Sequence, residues 1–407
     1  MLPRRRFTGL IALAMSVTAA AAGAAPVTVH GMVSQGYLNS SDYNYLTPDT
    51  EQGTFSFNEV LVNFTSQIDD KTRIGLQLLG RDLGPQGNGE VIVDWGFGDY
   101  RWKDELGFRA GKLKTPLGFY NKTRDVDAVR TAVLLPQSVY SESYRSVSTA
   151  VQGAAVYGNL PFGGTGGVDY ELCVGAVEMG SSQFLGPDMA ALAPGAPMLD
   201  YTIENKVAYG GQVIWNTPLE GLRIGGTFSA LEADGAGTFA LGLPVPWTIG
   251  MNVKANSITV LSADYLCDAL SLAAEYIRMD VDVALTNLPF PDGSGGFLPV
   301  AAQMEDNRGG YYVQGAYRLG RVVEVGAYYS VHHPDWDVRD GADVSPAHAA
   351  WQKDAAFTAR FDVTAAWTFK LEGHLINGTG DLVPAHNPGG IATESWTMFA
   401  AKSTFNF

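Results

Sequence analysis

The segment 321–333 reads RVVEVGAYYSVHH. In an extended chain Val323, Val325, Ala327, Tyr329 and Val331 fall on one side, and Glu324, Gly326, Tyr328, Ser330 and His332 on the other. The same period of two returns at 222–230, where Leu222, Ile224, Gly226 and Phe228 oppose Arg223, Gly225, Thr227 and Ser229. It returns again at 355–365, where Phe357, Ala359, Phe361 and Val363 alternate with Thr358, Arg360, Asp362 and Thr364. Successive side chains of a strand point to opposite faces, so this repeat specifies two-faced strands and would scatter the apolar groups around a helix.

The joints between strands alternate as well. Short polar turns stand at 69–72, 103–105, 163–167, 216–221, 268–269, 319–321 and 366–367. Longer connections are expected at 40–52, 83–89, 113–148, 179–204, 231–250, 282–306, 334–352 and 378–392. Together they divide the chain into about sixteen strands. Short turns on one rim and long loops on the other describe a transmembrane antiparallel up-and-down β-barrel, whose tilted strands need roughly 9–11 residues each to span lipid. The fold class expected is therefore all-β. A secreted sandwich also alternates, but it does not account for the aromatic residues near strand ends on the apolar face: Tyr209, Trp215, Tyr265, Tyr276, Tyr311, Tyr317 and Phe369. Aromatic girdles at both interfaces mark a membrane barrel.

Composition agrees. Only 17% of the 407 residues are charged, whereas about 25% is usual, and there are 48 Gly, 18 Tyr and 19 Phe. The net charge of −15 argues against a nucleic-acid partner. Residues 1–24 carry Arg4, Arg5 and Arg6, an apolar run and then small residues ending at Ala24. That is the order of a cleavable export signal, which leaves 25–407 as one barrel domain. Cys173 and Cys267 stand in strand-like segments with no metal-ligand spacing. They read as free thiols, with a disulfide as the alternative. No metal and no cofactor is expected.

The third long connection is the longest, and it is not built like a slack linker. It carries Leu117, Phe119, Tyr120, Val133, Leu134 and Leu135, so it must pack on something. In a barrel its natural place is folded into the lumen, where it narrows the passage. Lys112, Lys114, Lys122, Arg124, Arg130 and Arg145 stand there against Asp125, Asp127 and Glu142. A local basic excess on an acidic chain suggests a constriction that attracts anions; the alternative is an ordinary solvated loop. Strand parity adds a mixed set on the polar face. Arg73, Arg81, Arg109, Lys206, Arg223, Arg308, Arg318, Arg360, Lys370 and Lys402 face Asp94, Asp169, Glu171, Glu275, Glu324, Asp362 and Glu372. The expectation is a transverse field with many structural ion pairs, in which Arg109, Arg360 and Lys370 join the loop as solute-facing groups.

Three stretches resemble a known family when taken together. RAGKLKTPLGFYNKTRD resembles the strand leading into loop three of Gram-negative outer-membrane porins related to the phosphate-selective porins. ARFDVTAAWTFKLEGHLING resembles their late hairpin, and KSTFNF their closing strand. The resemblance implies a sixteen-stranded barrel, usually a homotrimer in outer-membrane lipid, that passes small hydrophilic solutes, with carboxylates or phosphate favoured in some branches. It also implies Arg109, Lys112, Lys114 and Arg124 as constriction residues, and the terminal aromatics Phe405 and Phe407 as the signal read by the barrel assembly machinery. Asp125 and Asp127 depart from a purely basic funnel.

Two other classes compete: a barrel enzyme of lipase or protease type, and a structural or adhesive barrel with a plugged lumen. His30, His332, His333, His348, His374 and His386 are framed by no GxSxG or HExxH motif, and they read as loop and rim residues. His332 and His333 are adjacent on a strand and point to opposite faces, so they make a poor metal pair.

Overall fold

The computed structural model describes residues 25–83, 87–177, 189–190, 192–193 and 195–407. The expected export signal, 1–24, lies outside the described residues. The chain forms sixteen strands: β1 (Val27–Ser40), β2 (Asn58–Gln67), β3 (Thr72–Asp82), β4 (Val91–Lys103), β5 (Leu106–Lys114), β6 (Ala150–Pro161), β7 (Gly167–Val177), β8 (Met198–Asn216), β9 (Leu222–Phe239), β10 (Trp247–Cys267), β11 (Leu270–Pro291), β12 (Phe297–Arg318), β13 (Val323–His333), β14 (Gln352–Asp362), β15 (Trp367–Gly378) and β16 (Ser395–Asn406). Each pairs antiparallel with its neighbours in sequence, and β16 pairs with β1, from Met32 opposite Asn406 to Ser40 opposite Met398. The sheet is a closed barrel. Closure leaves no edge, which is what a sheet in hydrocarbon requires, because lipid offers no partner to an open backbone N–H or C=O.

Parity sets the two surfaces. On β16, Trp396, Met398, Ala400, Lys402 and Thr404 are buried inside, whereas Thr397, Phe399 and Phe405 face out. Large apolar side chains stand exposed on the outer face of every strand, for example Val60, Ile74, Phe108, Leu172, Val213 and Phe357. A continuous apolar belt of this extent is unsustainable in water and matches a lipid-facing surface. Cys173 is buried, Cys267 is exposed, and both are free.

The seven short turns fall where alternation breaks. Three of the expected long loops do not. Most of 231–250 and 282–306, and half of the described part of 179–204, is strand, because β8 to β12 are strands of 18 to 22 residues each. That is about twice the length needed to span lipid. The alternation continues through them with its sense inverted. On β11 Leu272 is exposed outside and Glu275 is buried inside. Further along, Ile277, Met279, Val281, Val283 and Leu285 line an interior cavity, while Arg278, Asp280 and Asp282 take the other face. A strand leaving the membrane exchanges lipid for water on its outer face, so the apolar side turns inward. The tips of these hairpins close over a core of Met189, Phe239, Ile249, Met251 and Leu285. A bulge between Asn205 and Val207 on β8 shifts the parity. Lys206, expected in the lumen, therefore pairs with Glu232 at 2.8 Å and Asp234 at 3.1 Å on the outer face.

Candidate functional site: the lumen and its third loop

The connection between β5 and β6, residues 115–149, folds into the lumen and reaches most of the wall. Two wall carboxylates grip its backbone. Glu275 on β11 accepts the Phe119 N–H (2.8 Å), the Tyr140 hydroxyl (2.5 Å) and the Tyr312 hydroxyl (2.7 Å). Glu372 on β15 accepts the N–H groups of Val133 (2.8 Å) and Leu134 (3.0 Å) and the Thr358 hydroxyl (2.6 Å). The loop's apolar residues pack on both sides. Leu117, Leu135, Val139 and Tyr140 meet Val260, Ile277 and Tyr312. Val133 and Leu134 join Leu38, Tyr45, Ile376 and Trp396.

The loop's charges are paired. Asp127 lies 3.1 Å from Lys370 and 3.3 Å from Lys402, with Arg130 at 3.5 Å, and accepts the Thr404 hydroxyl at 2.8 Å. Asp125 holds Lys114 at 2.5 Å and binds Arg145. Lys114 also reaches Asp94 at 2.8 Å. Glu142 takes Arg81 at 2.7 Å and Arg124 at 3.0 Å. Burial opposes ionisation of Glu142, but Arg81, Arg124 and Arg145 outweigh it and hold the carboxyl well below the usual range. Burial likewise opposes ionisation of Asp125, and Arg145 and Lys114 overcome it. The wall does not segregate into basic and acidic halves as a transverse field requires. Arg223 pairs with Asp264, Arg318 with Glu324 and Asp362, and Arg73 with Asp99.

The candidate residues therefore separate by access. Arg124 and Lys370 have 1% and 0% of their side chains exposed; with Lys114, Asp125, Asp127 and Arg145 they fasten the loop. Lys122, 38% exposed, and Arg109 share Glu171 at 2.8 and 3.1 Å. Both line a recess of about 440 Å³ beside β5 to β8, and the Arg109 guanidinium lies 3.9 Å from the Tyr157 ring centre. Arg130, Arg318 and Arg360 line a second recess of about 330 Å³ beside β12 to β14. There Arg360 donates to Asp362 and to the carbonyls of Ala128 and Arg130. Lys112, opposite Gly96, is half-buried.

The histidines are not all at the rim. His374 is buried in the wall, 2.9 Å from Asp354 and 3.2 Å from Glu372. His333 and His348 contact the carbonyls of Ala350 and Ile391. The parity of 367–378 already puts His374 on the face of Lys370 and Glu372, which is the sequence signal for its position. Glu275 and Glu372 were visible as polar-face carboxylates, but not as anchors of loop three, because those contacts join positions far apart in the chain.

No family model matches this chain, and no curated protein matches it in sequence. Solved structures do match its fold. The outer membrane channel DcaP of Acinetobacter baumannii aligns with a TM-score of 0.52 at 11% identity, over 94% of this chain and 97% of that one. An anion-selective porin from Comamonas acidovorans gives 0.52 at 11% identity, over 94% and 100%. OmpF of Salmonella typhi, in complex with daunomycin, gives 0.56 at 9% identity, over 94% and 98%. At these identities the likeness establishes the sixteen-stranded porin fold.

Proposed function

We propose that this chain is an outer-membrane porin of a Gram-negative bacterium, a channel for passive diffusion of small hydrophilic solutes. The observation that carries this reading is a loop held across the lumen of a closed barrel, with polar recesses left beside it. An outer belt of apolar side chains supports insertion in lipid. The fold shared with DcaP and OmpF supports the same reading.

We further propose a lean to anions, carboxylates or phosphate, with Arg109, Lys122, Arg130 and Arg360 as the groups a solute meets. Lys112 stays a candidate, while Lys114, Arg124, Asp125, Asp127, Arg145 and Lys370 set the aperture by holding the loop. Their carboxylate partners hold the preference to a modest one. Assembly as a homotrimer and handling of the Phe405–Phe407 end by the barrel assembly machinery belong to the same proposal, as does an N-terminal export signal.

Planar-bilayer recording tests it. The expected result is stepwise current with a reversal potential favouring chloride over potassium. Absence of current refutes the porin and favours a plugged structural barrel; cation preference refutes only the anion lean. Arg360→Gln with Arg109→Gln should move the reversal potential toward zero, and an unchanged value removes these residues from selectivity.

A further inference from the structure

Beyond loop three, on the side of the long hairpins, the lumen changes character. One half of that level is filled by the core of Leu38, Tyr45, Phe57 and Trp396. The other half is a cavity of about 530 Å³, within the range of small-molecule sites. Its floor is loop three, through Leu117, Val139 and Val147. Its walls are the inner faces of β8 to β12, and Met251 and Leu285 in its roof belong to the hairpin-tip core. A hydrated ion gains nothing from such a wall, and apolar cavities exclude water.

Polar groups gather at one side. Arg308 on β12 donates through Nε to Asp306 at 2.7 Å, and its guanidinium lies 4.6 Å from the Tyr144 ring centre. Arg308 lines the cavity, and its charge also acts on Asp381. Among the described residues, His332 on β13 has a buried Nδ1 without a partner, and the Ser229 hydroxyl on β9 is buried without one too; both residues line the cavity. Glu305 and Asp306 also border it, which disfavours a multiply charged anion. An apolar chamber with unpartnered polar atoms at one side matches a molecule with an apolar body and a single oxygen head.

We propose that this chamber binds an amphiphilic monocarboxylate, its aromatic or alkyl body against Met251, Ile277 and Val281 and its carboxylate toward Arg308 and His332. The proposal rests on the channel reading for the route by which the ligand arrives. It adds a solute class that small hydrophilic diffusion does not include.

Equilibrium dialysis of the full chain in lipid nanodiscs against naphthoate tests it, with empty nanodiscs as background. The expected result is saturable uptake, with succinate and naphthylmethylammonium competing at least about tenfold more weakly. Met251→Asp places a charge in the apolar wall and should weaken uptake at least about tenfold. Val253→Thr, a gentler change on the same strand, should weaken it about threefold. Arg308→Gln should bring naphthoate and naphthylmethylammonium within about twofold of each other. Uptake no greater than in empty nanodiscs, succinate competing as well as naphthoate, or wild-type uptake in both wall variants overturns the proposal. Current plays no part in this readout. A conducting protein without uptake loses only this inference, and uptake without current loses only the porin reading.

Discussion

Asp127 is the residue on which the seating of loop three turns. Its carboxylate is closed to solvent and meets the buried Lys370 and Lys402 and, at the edge of a recess, Arg130. Burial opposes its ionisation, but Lys402, Lys370 and Arg130 prevail and hold it well below the usual carboxylate range. A depressed value contributes stability that is complete above the unfolded value, about 3.9, and is lost only as pH falls through the folded one. Loop three should therefore stay seated on acidification to about pH 4, read as constant single-channel current noise. Asp127→Asn leaves the buried Lys370 ammonium without its carboxylate, while Lys402 keeps Glu59 at 2.5 Å, and removing one partner of a buried pair costs about 3–5 kcal/mol. The variant should unfold at lower urea in lipid vesicles and give a noisier current; wild-type behaviour in both would remove Asp127 as the latch. Asp381, in the last long connection, has the opposite sense. Burial pushes its carboxyl up to about 6, against the Tyr45 hydroxyl at 2.8 Å and Arg308, which lower it. A raised carboxyl binds its proton more tightly in the folded state, so stability falls as pH rises from about 4 to about 6. Carbon-13 shifts of labelled aspartate should show one midpoint near 6 that vanishes in Asp381→Asn.

At the scale of the element, loop three turns on Gly118, whose φ is +56°. A Cβ there would stand 2.4 Å from the Tyr140 hydroxyl and 2.7 Å from a Glu275 carboxylate oxygen. Gly118→Ala meets both a left-handed backbone and the groups that fasten the loop, a strain of about 1–3 kcal/mol. Displacement of the segment from 117 to 120 should change single-channel conductance, and an unaltered conductance would show that this turn does not set the aperture. The sequence foretells such a loop from its length and its apolar content, and it foretells about sixteen strands from alternation together with the turns and connections that divide it. It misses the reach of β8 to β12, because a window that equates apolar with outward reads the inversion beyond Ile277 as the end of a strand. A single bulge at 205–207 defeats parity in the same way and carries Lys206 outside. Ion pairing is hidden for another reason. Lys402 and Glu59 meet at 2.5 Å only because the barrel closes, and nothing local to either residue announces the other. The basic excess of loop three was legible as composition, whereas its division into fastening residues and accessible ones depended on partners from distant strands.

The whole molecule depends on one long-range seam, where the first strand meets the last. Gly31 donates its N–H to the Phe407 carbonyl at 3.0 Å and accepts from the Phe407 N–H at 2.9 Å. A Cβ on Gly31 would stand 2.4 Å from the Phe407 ring, so glycine is what lets that ring lie against the first strand. Phe405 stacks on Trp367 with ring centres 5.4 Å apart. Every other strand pair is made by neighbours in sequence, but this one joins residues more than 350 apart and forms only once the other fifteen strands are in register. Loop-closure entropy opposes such contacts until late in folding. Removing Phe407 takes away two backbone hydrogen bonds and a ring at the seam, yet touches neither loop three nor the recesses beside it. Deletion of Phe407 should therefore lower the yield of folded barrel, read as the fraction with folded mobility on a gel without heating. The molecules that do close should keep wild-type conductance and reversal potential. A changed conductance would show that the seam and the aperture are coupled, and an unchanged yield would show that closure does not need this residue.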